Sequence, residues 1–134
     1  MLDMKRIREL PDDVRRGLES RQQPADLVDS ALALDQQRRD MLTDVESLKN
    51  QRNTVSKEIG ALKKRGEDTA EAQASMRDLG KRIGDLDGKV REVDDALKDT
   101  LLGIPNVPHS SSPVGSDESV NELLREVGVP REFD

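Results

Sequence analysis

Residues 27–65 read LVDSALALDQQRRDMLTDVESLKNQRNTVSKEIGALKKR, and the fold turns on how the apolar side chains recur within them. Leu27, Ala31, Leu34, Arg38, Met41, Val45, Leu48, Arg52, Val55, Ile59 and Leu62 alternate spacings of four and three, and nine of these eleven are apolar. A seven-residue step sustained for five heptads keeps one stripe of a helix facing a partner, which defines a coiled-coil seam. After Lys63-Lys64-Arg65-Gly66-Glu67-Asp68 the rhythm restarts at Ala72, Met76, Leu79, Ile83, Leu86, Val90, Val93, Leu97 and Thr100, eight of the nine apolar. Two seams of similar length, joined by a short linker in which Gly66 is free to take a positive φ, fold back on each other as an antiparallel hairpin. The predicted fold class is therefore all-α, a long two-helix coiled-coil hairpin with seam helices over residues 26–64 and 70–101. At 1.5 Å per residue the rod reaches roughly 55 Å and ends in a basic tip. Pairing across the turn puts Val55 near Leu79, Leu48 near Leu86, Met41 near Val93, and Arg52 opposite Ile83.

Before the seam, the first 25 residues predict two short helices. Asp3 suits the N-cap of a helix over Met4–Leu10, and Pro11 suits the first turn of a second helix ending near Ser20, with Asp12 and Asp13 placed to complement its dipole. Leu2, Ile7, Leu10, Val14 and Leu18 supply their apolar face, and Arg21-Gln22-Gln23-Pro24 breaks the chain before the hairpin. Beyond Leu102 the periodicity stops. Ile104 to Gly115 holds three prolines and three consecutive serines, which denies helix and predicts an extended, mobile linker over residues 103–134, while Val120–Val127 suits one further short helix ended by Gly128 and Pro130. The chain thus divides into a helical arm, 1–102, and a linker, 103–134. The sole aromatic, Phe133, has nothing upstream to pack against, which leads us to expect a further domain after it.

Composition narrows the function classes. Of 134 residues, 33% are hydrophobic and 37% charged, which argues against a thick globular core and leaves an elongated helical chain or a largely disordered one. With no Cys and one His, Cys-ligated and multi-histidine metal centres are excluded, and the cysteine count fits a reducing compartment. No apolar run approaches the ~20 residues of a membrane helix, and the start of the chain lacks the apolar segment of a signal peptide, so a cytoplasmic location without membrane partner is expected. Net charge is −6, unevenly spread: residues 1–25 and 26–66 are each +1, and 67–101 and 102–134 are each −4. His109 and Ser110–Ser112 have no carboxylate placed beside them, and no glycine-rich phosphate loop is present, so neither catalysis nor a nucleotide site is expected in this chain.

The candidate contacts are basic. Lys57, Lys63, Lys64 and Arg65 concentrate at the predicted tip, where they either complement a helix C-terminus or meet phosphate. Arg38 and Arg52 interrupt the seam two heptads apart; they either lay their stems over it and pair with acids such as Asp85, Asp87 or Asp99, or reach out to phosphate. Arg77, Arg91 and Lys98 share one flank of the second helix with Gly84, a stripe able to track a nucleic-acid backbone or to stand as an ordinary solvated face. Gly80, Gly84 and Gly88 line up on the outside of the hairpin, tolerated there or admitting another backbone. With no aromatic residue in the hairpin, base stacking on aromatic side chains is excluded there and RNA contact is expected on sugar and phosphate.

Several stretches carry a family resemblance: Met1-Leu2-Asp3, Arg52-Asn53, Ser56-Lys57-Glu58-Ile59-Gly60, above all Ile104-Pro105-Asn106-Val107-Pro108-His109, then Pro113-Val114-Gly115, Asp117-Glu118, Asn121, Arg125, Gly128, Pro130 and Phe133-Asp134. Together they resemble the N-terminal portion of bacterial seryl-tRNA synthetase over the whole chain, with Ser112 departing where an apolar residue is commoner. The resemblance implies an arm that projects from a class II catalytic core and grips the long variable arm and elbow of tRNA(Ser), often on the other subunit of a homodimer, while ignoring the anticodon. It implies that ATP, Mg²⁺ and serine belong to a catalytic domain beyond Asp134, so that this chain binds tRNA, carries no cofactor or catalytic residue, and does not aminoacylate. Arg52, Asn53, Ser56 and Lys57 are carried over from the resemblance; Arg38, Lys63, Lys64, Arg65, Arg77 and Arg91 join them as tRNA-binding candidates on charge and position. The competing expectation is a protein-binding or scaffolding coiled coil with no RNA partner.

Overall fold

The computed structural model describes residues 1–129 and 131. Four α-helices follow in order, α1 (Met4–Glu9), α2 (Pro11–Glu19), α3 (Asp26–Arg65) and α4 (Ala70–Gly103), with one turn of 3₁₀ helix at Glu118–Val120 and no strand among the described residues. The all-α hairpin expected from the seam is the observed fold, and both long helices begin and end within two residues of their predicted limits.

Local chemistry sets the boundaries. Asp3 Oδ1 accepts the Lys5 N–H at 2.8 Å and caps α1, whose C-terminal turn closes with the Leu10 N–H donated to the Arg6 carbonyl at 2.9 Å. Pro11 then opens α2, where its missing N–H costs no hydrogen bond. At the tip, Gly66 takes φ +72°, the Gly66 N–H bonds the Lys63 carbonyl at 3.2 Å, and the Glu67 N–H bonds the Leu62 carbonyl at 3.0 Å. This paired closure satisfies two of the last carbonyls of α3 while Lys63, Lys64 and Arg65 complement its dipole.

Packing follows the seam. All nine predicted positions of α4, and every predicted position of α3 except Arg52, are buried or half-buried. Leu48, Leu79 and Ile83 form a buried cluster with Val55 and Leu86 against it, which matches the expected pairing of Leu48 with Leu86 and Val55 with Leu79. The hairpin is antiparallel, since Arg38 pairs with Asp94 and Lys49 with Asp87.

The larger core lies at the other end. Leu2, Ile7, Val14 and Leu18 from the first two helices pack on Val28 and Ala31 of α3 and Leu97 and Leu101 of α4, and Ile7, Val14, Leu18 and Val28 are fully enclosed. Burying each such side chain stabilises by about 1.5–3 kcal/mol. Two features there were not legible as core. Asp35 is 3% exposed, with both carboxylate oxygens 3.2 Å from the Arg8 guanidinium and Oδ2 3.1 Å from Arg39 Nε, so the buried charge ties α1 to α3. Ile104 is 2% exposed, Val107 packs on the same core, and Arg21 donates to the Asn106 carbonyl at 2.8 Å.

Two sequence expectations are corrected. Leu10, assigned to the apolar face, is 49% exposed, because it serves as the hinge between α1 and α2 and its side chain points away from the core. Val120–Val127 does not form a helix; only Glu118–Val120 turns, and Leu123, Leu124 and Val127 are exposed, with no apolar surface in contact to reward helix formation. The expectation built on Phe133 lies outside the described residues.

Candidate nucleic-acid interface

The seam gives each flank of the hairpin an address. In heptad terms α3 places Arg38, Val45, Arg52 and Ile59 at a and Met41, Leu48, Val55 and Leu62 at d, while α4 places Ile83 and Val90 at a and Leu79 and Leu86 at d. Positions e and b then flank a on one side, and g and c flank d on the other.

The g and c side is grooved. Ser47, Gln51, Asp85 and Lys89 line one stretch of an open channel, Gln51, Thr54, Ser75 and Asp78 the next, and Glu58, Asp68 and Glu71 the part nearest the turn. None of the sequence-predicted contacts lines it.

Six predicted contacts fall on or next to the e and b side instead: Arg52 at a, Asn53 and Ser56 beside it, Lys63 near the turn, and Arg77 and Arg91 on α4. All six are exposed. Lys57 and Lys64 stand on the outer ridge of α3, also exposed, and Arg65 lies at the opposite edge with its Nε 3.4 Å from Glu67. Arg38 is placed differently. Its Nε donates to Asp94, so it spends its charge across the seam; the expected Asp85 and Asp99 lie at c on the far flank, and Asp87, an e position like Asp94, stands two turns further along beside Lys49.

The electrostatics change along the rod. Toward the open end, Arg8, Arg15, Arg16, Arg38 and Arg39 all hold carboxylates within 4 Å, and hydrogen bonds to Asp29 and Asp12 raise the Arg15 guanidinium above its ordinary value. Toward the turn, Arg52, Lys57, Lys63, Lys64 and Arg77 have no carboxylate within 4 Å among the described residues. Unpaired exposed bases on a rigid rod are suited to phosphate, where each contact releases a condensed counterion.

His109 is the other polar cluster. Its Nδ1 accepts the Ser111 N–H at 3.2 Å and lies 2.8 Å from Ser111 Oγ, an exposed turn that joins neighbours in sequence and brings no third group to them. Among the described residues no group of three potential ligands could hold a metal, and no helix is long and apolar enough to cross a membrane.

Comparison with known proteins gives the chain's relatives. The family model described as Seryl-tRNA synthetase N-terminal domain matches residues 1–108, which includes the docked Ile104–Pro108 segment. A serine–tRNA ligase of Methanosarcina barkeri is 41% identical over 133 residues, covering 99% of this chain and 31% of that protein. One of an Exiguobacterium species is 47% identical over 58 residues, covering 40% of this chain. Among solved structures, seryl-tRNA synthetase from Pyrococcus horikoshii complexed with ATP superposes with a TM-score of 0.83 at 39% identity over 89% of this chain and 27% of that one. The cytoplasmic serine–tRNA ligase of Naegleria fowleri shares the fold, with a TM-score of 0.77 at 24% identity. These relatives come from archaea as well as bacteria, which broadens the bacterial resemblance read from the sequence.

Proposed function

The chain belongs to the family of seryl-tRNA synthetase N-terminal domains, and on that premise we propose that it is the tRNA-gripping arm of a serine–tRNA ligase. In this reading the arm holds the long variable arm and elbow of tRNA(Ser) through phosphate contacts from Arg52, Asn53, Ser56, Lys57, Lys63, Lys64, Arg65, Arg77 and Arg91. The observation that carries it is the set of exposed bases near the turn, Arg52, Lys57, Lys63, Lys64 and Arg77, that have no carboxylate within 4 Å among the described residues. Arg38 has the weakest claim, since Asp94 already satisfies it.

The chain spans 31% of the Methanosarcina relative, so the reaction belongs to the longer protein. There, ATP with Mg²⁺ would activate serine for transfer to tRNA in a cytoplasmic homodimer, while the residues described here supply binding and orientation only. What the arm contributes is proximity: a tRNA fixed at its elbow presents its acceptor end repeatedly to one place, converting an encounter into an intramolecular step.

The test is charge reversal at the turn. Replacing Lys63, Lys64 and Arg65 together with Glu should weaken serine tRNA binding at least tenfold and flatten its salt dependence. Unchanged affinity and slope would remove the turn from the contact surface.

A further inference from the structure

Where the chain leaves the larger core it passes a serine run that the tRNA-gripping surface does not use. Ile104 is buried and Val107 lies against Gly17 of α2, and beyond them His109-Ser110-Ser111-Ser112 forms a turn before Pro113. The Ser112 N–H closes that turn on the His109 carbonyl at 2.9 Å. Between the turn and the two short helices lies an open cleft of about 370 Å³, whose polar lining includes Arg6, Asp13, Arg16, His109, Ser110 and Ser112.

The three hydroxyls are not equivalent. Ser111 Oγ lies 2.8 Å from His109 Nδ1 and takes no part in the cleft. Ser110 and Ser112 both line it, and Ser112 also borders the neighbouring cleft that holds Arg21. Ser112 therefore stands among three guanidinium groups. Arg6 and Arg21 have no carboxylate within 4 Å among the described residues, while Arg16 holds Asp13. Arg21 is already committed to the Asn106 carbonyl, which leaves Arg6 and Arg16 as the cations facing the serine from α1 and α2. Ser112 is exposed, and Pro113 after it disfavours helical backbone there, so the hydroxyl is presented on an accessible, non-helical segment.

We propose that Ser112 is a phosphorylation site and that Arg6 and Arg16 form the clamp for its phosphate. In the modifying step Ser112 Oγ attacks the γ-phosphorus of a nucleoside triphosphate held by a protein kinase. The new O–P bond forms as the bond to the β-phosphate oxygen breaks, the nucleoside diphosphate leaves, and the hydroxyl proton passes to a base of the kinase. The product carries about −1.5 to −2 charges at pH 7 and three strong acceptor oxygens, which two guanidinium groups match in charge and geometry. Asp13 is the one carboxylate of the cleft lining, and the more highly charged phosphate competes with it for Arg16. Without the phosphate, the hydrogen bonds of His109–Ser112 all stay within the turn. The clamp adds a tie to α1 and α2, extending the docked stretch from Val107 to Ser112. Its consequence rests on the reading above: a stiffer segment at this end narrows the directions in which the arm leaves the rest of the longer protein.

Neither deciding experiment uses tRNA, so the site stands or falls separately from the tRNA-binding reading. Phosphopeptide mapping of the full-length protein purified from its own cells, growing and starved, should find phosphate on Ser112; none there in either state overturns the proposal. The full chain prepared with phosphate on Ser112 should titrate, by phosphorus NMR, about one pH unit below the same phosphoserine in a peptide of residues 109–115, because two cations favour the dianion. Backbone amides of residues 109–115 should lose their fast motion at the same time. Arg6→Gln with Arg16→Gln should return both readouts to the peptide values, with helicity by circular dichroism showing that the variant is folded. Peptide-like titration in the parent, or a variant that matches the parent, removes the clamp. Millimolar inorganic phosphate added to the unmodified chain should leave those amides unchanged; the same ordering from free phosphate would make the cleft an anion site independent of modification and overturn the assignment.

Discussion

Gly17 and Gly80 are both helical glycines with opposite surroundings. A Cβ on Gly17 would stand 2.8 Å from a Val107 methyl, whereas one on Gly80 would meet open space. Alanine gains about 1 kcal/mol of helix propensity at either site, so Gly80→Ala should stabilise the fold by about that amount in urea unfolding. Gly17→Ala should finish at least 1 kcal/mol below it, because Val107 must move, and adding Val107→Ala should recover the difference. Equal stability of the two single variants would mean that the segment after Ile104 is not docked as described. Asp117 is a smaller case: hydrogen bonds from Ser119 hold its carboxyl below the ordinary carboxylate range. The cap it makes on the 3₁₀ turn is therefore fully present above the ordinary carboxylate pKa and is lost as pH falls through the lowered value. The Ser119 amide resonance should report that loss at a lower pH than an uncapped Asp would give.

At the level of elements, the seam was the readable part, because a 3.5-residue repeat reveals which stripe of a helix faces a partner without revealing what else lies beside it. The nine seam positions of α4 from Ala72 to Thr100 could be assigned one by one, and all nine are buried or half-buried. Val28 and Asp35 lie one residue past seam positions and are enclosed because α1 and α2 pack beside the seam, a third layer that a two-helix pattern does not encode. The basic contacts were legible as residues and not as a surface: spacing placed Arg77 and Arg91 on one flank, but the side they share with Arg52 and Lys63 needed the register of the pair. Replacing Asp35 with Ala should cost about 1–3 kcal/mol, since Arg8 and Arg39 lose their common acceptor and α1 loses its tie to α3. Loss below 0.5 kcal/mol would show that apolar packing alone seats the short helices. The closing turn makes a separate claim: Gly66→Ala at φ +72° should destabilise by about 1 kcal/mol, a left-handed residue being strained for any side chain.

For the whole molecule, the arrangement is a lever. Its open end is fixed by the larger apolar core and by ion pairs, and toward its far end Arg52, Lys57, Lys63, Lys64 and Arg77 have no carboxylate within 4 Å among the described residues. The central claim is that this rod recognises the long variable arm of serine tRNA by phosphate contact alone. The most direct measurement is a salt titration of binding to a serine tRNA beside a tRNA with a short variable loop. The account predicts tighter binding of the serine tRNA and a steep fall in its affinity with salt. Equal binding of both tRNAs, or binding that salt leaves unchanged, would contradict it.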